Sequence, residues 1–569
     1  MVLSMKNKRE RVKLSDIVYN ENADIGLIKR SLSYAVKKSE IKVIGTIFVL
    51  VLYLLSVLLL KLDVTLSGFK LTPKIFTVCS ILLQGMSLFF GYSIISHGLS
   101  SIFKLKPDEN TVFLLAFFSA FANSVLTLIT KSYPSDNTKP FMGIGVILLF
   151  ELLINKKNLY MAKRAKQNFK FEISEKEKYL VKLSESSSNG NSAVINEKVQ
   201  HNYSFFDLIL DQSFWEKTVQ KLSFFAIILS IAVGTFSTIK SRNFLFWPSN
   251  MYTALMLCFP ISFFFSLSFK LFYFSKKALK KGIMLLGRNN VNATSLINSI
   301  TFDSEDLYPS ENVILKEIKT FRGQRVDEAI LYAATLSSAK EGPLNTVFNK
   351  VILGQKKILT KVSEVTYEED KGLIGWVNGK RVMIGNRDLL KSHGVDPPSR
   401  DYEDKYHKDN EGITYICVGY DLVAMFVLEY NPNRRLLNVL KSAGKNNIKI
   451  FIRTYDSNIN MERISKDFAV SLEDLSIAPL EDSLGEKNIR TQTECFECMN
   501  KSDKLIDGVV ASKRLKANFK LVFAINLLSL MLGLIIVVTV AFNGTLHQIS
   551  EYEILIYNLF WLLSSVVCG

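Results

Sequence analysis

Eight apolar runs dominate the chain and set what it can fold into: Val43–Leu60, Ile75–Ile95, Val112–Ile129, Phe141–Ile154, Leu222–Thr238, Met251–Phe274, Leu521–Ala541 and Ile554–Val567. Each is long enough, or nearly so, to cross about 30 Å of hydrocarbon as a helix. The fourth is the shortest and carries an acid, Glu151. With 48% hydrophobic residues and a mean hydropathy of +0.18 beside 22% charged residues, the composition is that of a membrane protein with a large polar part.

Lysine and arginine near the helix ends orient the spans. Lys6, Lys8, Arg9, Arg11 and Lys13 precede the first; Lys156, Lys157, Lys163, Arg164 and Lys166 follow the fourth; Lys276, Lys277, Lys280 and Lys281 follow the sixth. Positive flanks lie on the cytoplasmic side, so the loops 61–74, 131–140 and 543–552 face outward and the block 275–520 is cytoplasmic. The net charge of +17 follows from this topology and from attraction to an anionic leaflet. The lipid bilayer is thus an expected partner, and nucleic acid is not, because no basic and aromatic module stands apart. The first thirty residues are polar, without the apolar core of a cleavable leader.

The six cysteines are scattered and form no disulfide framework. Cys495 and Cys498 have the spacing of a metal or redox pair, but one such pair alone is a poor zinc signal. The stretch 184–192, "SESSSNGNS", reads as a polar loop.

Within the cytoplasmic block, "SITFD", "VTYEEDKGLIGWVNGKRVMIGN", "TYICVGYDLVAMFVLEY" and "NIKIFIRTYD" read as strands, separated by helical patterns such as "VDEAILYAATLSSA" and "NRRLLNVLKSAGKNN". An α/β unit interrupted by a mixed insertion accounts for this alternation. Functional groups collect at the carboxyl ends of strands in such sheets, and Asp303 and Asp456 both follow strands.

At these residues the chain resembles the P-type ATPases, in particular the heavy-metal-transporting subfamily. "MLCFPISFFFSLSF" continues into "KKALKKGIML" and then "SITFD", and the intervals from Pro260 through Gly282 to Asp303 match the family's path from its metal-gate proline to its phospho-acceptor aspartate. "AATLSSAKEGPL" stands where the family has Ser-Glu-His-Pro-Leu, "DKGLIGWVNGKRVMIGNRDLLKSHGV" resembles its nucleotide-binding segment, and "LEYNPNRR" and "IRTYDSN" take the places of its Asp-Pro and Thr-Gly-Asp elements. Asn518 and Asn526 keep the spacing of two family asparagines, and the helix count of six before and two after the cytoplasmic block agrees.

The resemblance implies a multi-pass α-helical membrane protein of about eight spans. It carries a cytoplasmic α/β HAD-like phosphorylation domain, truncated, and an inserted α+β nucleotide-binding-like domain. The implied boundaries are a basic segment 1–42, spans one to four in 43–155, a reduced actuator-like segment 156–219, spans five and six in 220–274, phosphorylation-like parts 275–320 and 431–513 around a nucleotide-binding-like domain 321–430, and spans seven and eight in 514–569. By the same resemblance the catalytic positions are Asp303, Thr454 and Asp456. The nucleotide positions are Glu341, Pro343, Gly372, Gly375, Gly385 and Asn386, and the ion-path positions are Pro260, Asn526, Ser564 and Ser565.

Much of the chemistry those positions served is altered. The family's Asp-Lys-Thr-Gly-Thr-Leu-Thr is "DSEDLYP" here, so the lysine is gone and Glu305 and Asp306 add negative charge where a triphosphate must approach. A like charge about 4 Å away costs of order 4 kcal/mol at an intermediate dielectric. Tyr455 replaces a glycine, Asn431 an aspartate, Gly342 the adenine-packing histidine, Asp370 a glycine and Asp482 a lysine beyond Pro479. Neither Gly-Asp-Gly-x-Asn-Asp nor Thr-Gly-Glu occurs, and the family's Cys-Pro-Cys is "FPI", with Cys258 one residue away and Trp561 near a methionine-like position.

The expectation is a pseudo-pump with a regulatory or scaffolding role and a protein partner at the cytoplasmic domains. ATP and Mg²⁺ are expected to bind weakly or not at all, and no bound transition metal is predicted. Two other readings stay open: a divergent cation pump, whose ATPase activity would depend on Asp303, and a nucleotide- or metal-responsive sensor without turnover.

Overall fold

The computed structural model describes residues 2–4, 11–13, 25–62, 65–66, 69–70, 72–131, 143–185, 192–198, 213–259, 261–321, 323–406, 408, 410–477, 492–499 and 504–567. Pro260, Pro479 and Asp482 lie outside these residues. The chain divides into two units: residues 1–176, 200–292 and 511–569 form one, and residues 177–199 and 293–510 the other.

The first unit is helical. Its helices are α1 (Ile25–Lys61), α2 (Pro73–Phe103), α3 (Glu109–Thr130), α4 (Ile144–Glu172), α5 (Ser213–Ser241), α6 (Trp247–Cys258), α7 (Ser262–Lys280), α8 (Leu505–Phe542) and α9 (Glu551–Val567). Local chemistry fixes several ends. Thr72 accepts the Ile75 N–H with Pro73 in the first turn of α2, and Asp108 and Thr111 cap α3 reciprocally. Among the described residues, six stretches are long and apolar enough to span: α1, α2, α3, α5, the α6–α7 pair and α8. The other two expected spans are helical but fall short. The apolar part of α4 ends at Ile154, before Asn155 and two lysines, and α9 has 17 residues.

The α6–α7 stretch is the most enclosed: 88% of its apolar window is buried, against 28% to 39% for the other five. Those five present Ile44, Phe89, Ile129, Ile239 and Ile535 outward, as lipid-facing helices do. Between Trp247 and Lys280 the helix breaks after Cys258 and resumes at Ser262. A break inside hydrocarbon is tolerated only where the freed backbone finds partners. Asn558 of α9 donates to the Met256 carbonyl at 3.1 Å. Gly533 lets α8 approach so closely that a Cβ there would fall 1.9 Å from the Leu257 carbonyl oxygen.

Helix α4 continues far past its apolar turns, as 29 residues spanning about 44 Å. Its buried Arg164 explains why: the guanidinium donates to Ser275 Oγ at 3.1 Å and to the Leu285 carbonyl at 3.0 Å, tying the helix to the chain that leaves α7.

The second unit carries twelve labelled strands: β1 (Lys178–Glu185), β2 (Ser192–Lys198), β3 (Ser299–Asp303), β4 (Val313–Thr320), β5 (Val362–Glu368), β6 (Gly372–Val377), β7 (Lys380–Gly385), β8 (Glu411–Val418), β9 (Asp421–Tyr430), β10 (Lys449–Arg453), β11 (Leu475–Ile477) and β12 (Gln492–Met499). Six of them form an antiparallel sheet in the order β5-β6-β7-β8-β9-β4. Met383, Leu389, Tyr415, Cys417, Met425 and Val427 make its core on one face. The order β11-β10-β3 forms a parallel sheet, with Ile300, Phe302, Ile450 and Ile452 buried by alternation and Asp303 in register with Arg453. This is the α/β core with its inserted mixed domain that the strand pattern implies.

The segment 156–219, expected as one actuator-like piece, is divided instead. Residues up to Glu172 belong to α4, whereas β1 and β2 form a hairpin whose first strand pairs with β12, more than 300 residues away, as in Leu180 with Glu497 and Tyr179 with Cys498. The pairing was invisible in sequence because β1, "KYLVKLSE", is lysine-rich and reads as a polar linker.

Candidate catalytic and ion-path sites

Asp303 ends β3 and caps the single turn Ser304–Leu307, its N–H donating to Asp306 Oδ2 at 3.2 Å. The neighbouring parallel strand ends at Arg453, and the shared register sets that guanidinium beside the aspartate. Arg453 Nε donates to Asp303 Oδ1 at 2.8 Å and Nη2 approaches the same oxygen at 2.5 Å. Both side chains keep about a third of their surface in water, at 31% and 39%. The pair is therefore screened and worth about 1 kcal/mol or less to stability. Its chemical effect is larger, because a carboxylate oxygen held by two cationic N–H groups is a poorer nucleophile toward phosphorus.

Thr454 and Asp456 follow at once, on the loop after β10. Thr454 Oγ1 accepts the Asp456 N–H at 3.0 Å. The Asp456 carboxylate is fully enclosed: Tyr430 O–H donates to Oδ2 at 2.5 Å and the Asn458 N–H to Oδ1 at 3.0 Å. Burial pushes this carboxyl above the ordinary aspartate range, opposed by the Tyr430 and Asn458 hydrogen bonds. Tyr455 fills the place of the family's glycine; its ring packs edge-on to Tyr367 with centroids 5.4 Å apart, and Lys340 Nζ lies 5.1 Å from its centroid. The sequence-predicted trio is thus gathered at the carboxyl ends of two adjacent parallel strands, but each carboxylate already has protein donors.

Mg²⁺ needs carboxylate oxygens free to take near-octahedral positions about 2 Å from the ion. In this arrangement Asp303 Oδ1 and both Asp456 oxygens already accept from protein donors, so Mg²⁺ would have to compete with those groups or displace them. Among the described residues no group of three or more His, Cys, Asp or Glu side chains is placed to hold a metal ion.

The nucleotide positions fit ATP no better. Gly372 and Gly385 face each other across β6 and β7. A Cβ on Gly372, whose φ is +145°, would lie 2.2 Å from the Ile384 carbonyl oxygen, and one on Gly385 would lie 2.1 Å from that of Lys371. A Cβ on Gly375 would meet Leu336 Cδ1 at 2.8 Å. The space these glycines leave is filled by strands and a helix rather than held open for a phosphate. Asn386 caps the helix 387–392 through the Asp388 and Leu389 N–H groups, both at 3.1 Å, and donates to the Asp370 carbonyl at 2.7 Å. Pro343 is buried in the first turn of its helix after Gly342, while Glu341 is exposed. A cleft of about 630 Å³ opens at the hairpin turns beside Trp376, Lys380, Arg381 and Tyr420, and none of the six predicted nucleotide positions lines it.

Two of the four ion-path positions meet α7. Ser262 Oγ donates to Asn526 Oδ1 at 2.7 Å, and Ser266, one turn on, shares a proton with Ser565 Oγ at 2.6 Å. Lys270, one turn further, donates to the Val566 carbonyl at 2.8 Å. Ser564 instead donates back along its own helix to Phe560 O at 2.8 Å. The void beside Asn526, Phe263 and Phe523 is about 20 Å³, room for roughly one water. Soft transition metals select thiolate, thioether or imidazole ligands, and this row offers hydroxyls, an amide and an ammonium.

Sequence reasoning missed Arg453, Tyr430, Asn458 and the Ser262–Ser266–Lys270 row. The last had a signal in its four-residue spacing on one helix face. Arg453 had one only after the register of β3 against β10 was known.

No family model matches the chain. Its curated relatives include the copper-transporting ATPase PAA1, chloroplastic, of Arabidopsis thaliana, 21% identical over 187 residues, which are 31% of this chain and 20% of that protein. Copper-exporting P-type ATPases of Staphylococcus saprophyticus and Legionella pneumophila are 19% and 22% identical over 217 and 208 residues, covering 38% and 36% of this chain and 27% and 28% of theirs. The matched part is thus about a quarter of each relative's length. Among solved structures, a zinc-transporting PIB-type ATPase in its E2·Pi state aligns over 93% of this chain and 98% of its own, with 11% identity and a TM-score of 0.47. The apolar helices, the cytoplasmic α/β unit and these relatives together make the chain a multi-pass membrane protein related to the heavy-metal-transporting P-type ATPases.

Proposed function

We propose that the protein is a catalytically impaired pseudo-pump of that ancestry, with a regulatory or scaffolding role exerted through a protein partner at its cytoplasmic domains. One observation carries this reading: Arg453, delivered by strand register, holds Oδ1 of the Asp303 carboxylate that would have to attack a phosphoryl group. The enclosure of Asp456 by Tyr430 and Asn458 supports it. So do the glycines whose space is filled from within. The copper-transporting activity named for the relatives implies copper as the ancestral cargo, and the hydroxyl row of α7 is poorly matched to it.

A divergent cation pump is the second reading, favoured by the retention of Asp303 at the carboxyl end of a parallel strand beside Thr454. Acid-stable labelling of the membrane-inserted protein with γ-labelled ATP and Mg²⁺ separates the two. The pseudo-pump gives no label with either the native chain or Asp303→Asn. Hydroxylamine-labile label on the native chain that disappears in Asp303→Asn establishes a working phospho-acceptor and ends the pseudo-pump reading.

A further inference from the structure

Glu151 is an acid inside the membrane-spanning unit, fully buried where α1, α2 and α4 meet. An ionisable group in such a place needs an explanation from its partners. Thr46 of α1 lies 3.1 Å from Glu151 Oε1, Ser87 of α2 donates to Oε2, and Gly91 makes room for the carboxyl, a Cβ there falling 3.3 Å from Glu151 Cδ.

The proton count at Thr46 decides the state of the acid. A hydroxyl has one proton to give and two lone pairs to fill. Thr46 Oγ1 has two neighbours that accept, the Lys42 carbonyl at 2.9 Å and Glu151 Oε1 at 3.1 Å, and it also receives the Asn155 Nδ2 donor at 3.1 Å. An ionised Glu151 leaves two acceptors competing for one proton. A protonated Glu151 closes the count: Glu151 O–H donates to Thr46, Thr46 donates to Lys42 O, Asn155 fills the second lone pair, and Ser87 donates to the other carboxyl oxygen. A carboxylate buried in this place with no cation bonded to it, Lys42 being held by Ser93, is costly in its charged form, which favours the second arrangement.

From this geometry we propose that Glu151 is an intramembrane proton-binding site, in which its carboxyl holds a proton shared with Thr46 and exchanges it with the aqueous phase. Further polar atoms mark the place as built for more than helix contact. Asn155 Oδ1 and both amide atoms of Gln84, one turn from Ser87 on α2, are buried without a hydrogen-bond partner among the described residues. The charged groups around the acid are few. On α1 they are Lys42, whose Nζ donates to Ser93 of α2, and Lys38 one turn beyond. The stretch of α2 from Ile75 to Ile95 carries none. Lys157 of α4 is paired with Glu109 of α3, and Glu551 of α9 is held by Tyr53 O–H at 2.7 Å and the Gly145 N–H. Loss of the proton leaves a carboxylate facing Lys42, and the ammonium then has reason to leave Ser93 for Glu151, coupling the proton to the contact between α1 and α2.

Infrared spectroscopy of the full chain reconstituted in lipid tests this directly. The native protein at neutral pH gives a carboxylic-acid carbonyl band, shifted by deuteration, that Glu151→Gln removes and Glu551→Gln leaves. Lys42→Met, which takes away the cation that favours the carboxylate, makes the band persist to higher pH. Thr46→Val keeps the acid without its acceptor, so the band stays and moves to higher frequency; this variant speaks even where Glu151→Gln fails to insert. Absence of the band from the native protein, its survival in Glu151→Gln, or indifference of its position to Thr46→Val and of its pH range to Lys42→Met overturns the proposal.

Discussion

At the scale of single residues, the two strand-end aspartates are each engaged by neighbouring protein donors. Asp456 is held by three groups at once, a buried phenol, a backbone N–H and its own Thr454, and Tyr430 is also bonded by Asn458 Nδ2 at 3.3 Å. Tyr430→Phe leaves a buried carboxylate oxygen without its donor and is expected to cost about 1–3 kcal/mol in stability. The pH dependence has a definite sign. Burial raises the Asp456 carboxyl above its unfolded value, so its stabilising contribution is present below the ordinary aspartate range and is lost as pH rises through the raised value. The Tyr430 hydrogen bond lowers that value, and its removal widens the window. Thermal unfolding across acid to neutral pH checks this: Tyr430→Phe should lose little in acid and most near neutrality, and a pH-independent loss contradicts it.

The inserted antiparallel sheet raises the same question at the scale of elements. Gly372 and Gly385 resemble the glycines of a nucleotide site, yet their positions are dictated by the closeness of β6 to β7. Gly372→Ala sets a Cβ against the Ile384 carbonyl oxygen in a backbone conformation that L residues rarely adopt, so a loss of about 1–3 kcal/mol is expected. Melting curves paired with ATP titration separate packing from binding: packing predicts a lowered melting temperature in the absence of ligand. A variant that melts like the native protein and loses only ATP affinity would restore the nucleotide reading. The broken helix between α6 and α7 follows a related rule, since Asn558 donates to the Met256 carbonyl and Gly533 leaves room for α8 against Leu257.

Across the whole molecule, each unit is assembled from separated stretches of chain, and the β1–β2 hairpin is the clearest case. It leaves the membrane unit after α4 and joins β12, which precedes α8. In register, Tyr179 stands opposite Cys498. Tyr179→Cys in a Cys495→Ser background is therefore expected to form an intrachain disulfide on mild oxidation, read as a faster-migrating band on non-reducing electrophoresis and reversed by reductant. Without that band the hairpin is not paired as described. The pairing makes strands 178–185 and 192–198 part of the second unit.

The sequence alone determined the membrane class, the placement of the large polar block between the sixth and seventh apolar runs, and the strand-end positions of Asp303 and Asp456. These properties are local: they depend on the length of an apolar run, on flanking lysines and on two-residue alternation. It also exposed the missing lysine and threonines after Asp303, since substitutions in a short motif need no third dimension to be read. Only the tertiary structure decided that Arg453 reaches Asp303, that Tyr430 closes over Asp456, that Gly372 backs onto Gly385, and that β1 pairs with β12. Three of those contacts depend on strand register, which is fixed by the whole sheet rather than by the residues of one strand, and the Tyr430–Asp456 contact depends on how two different sheets meet.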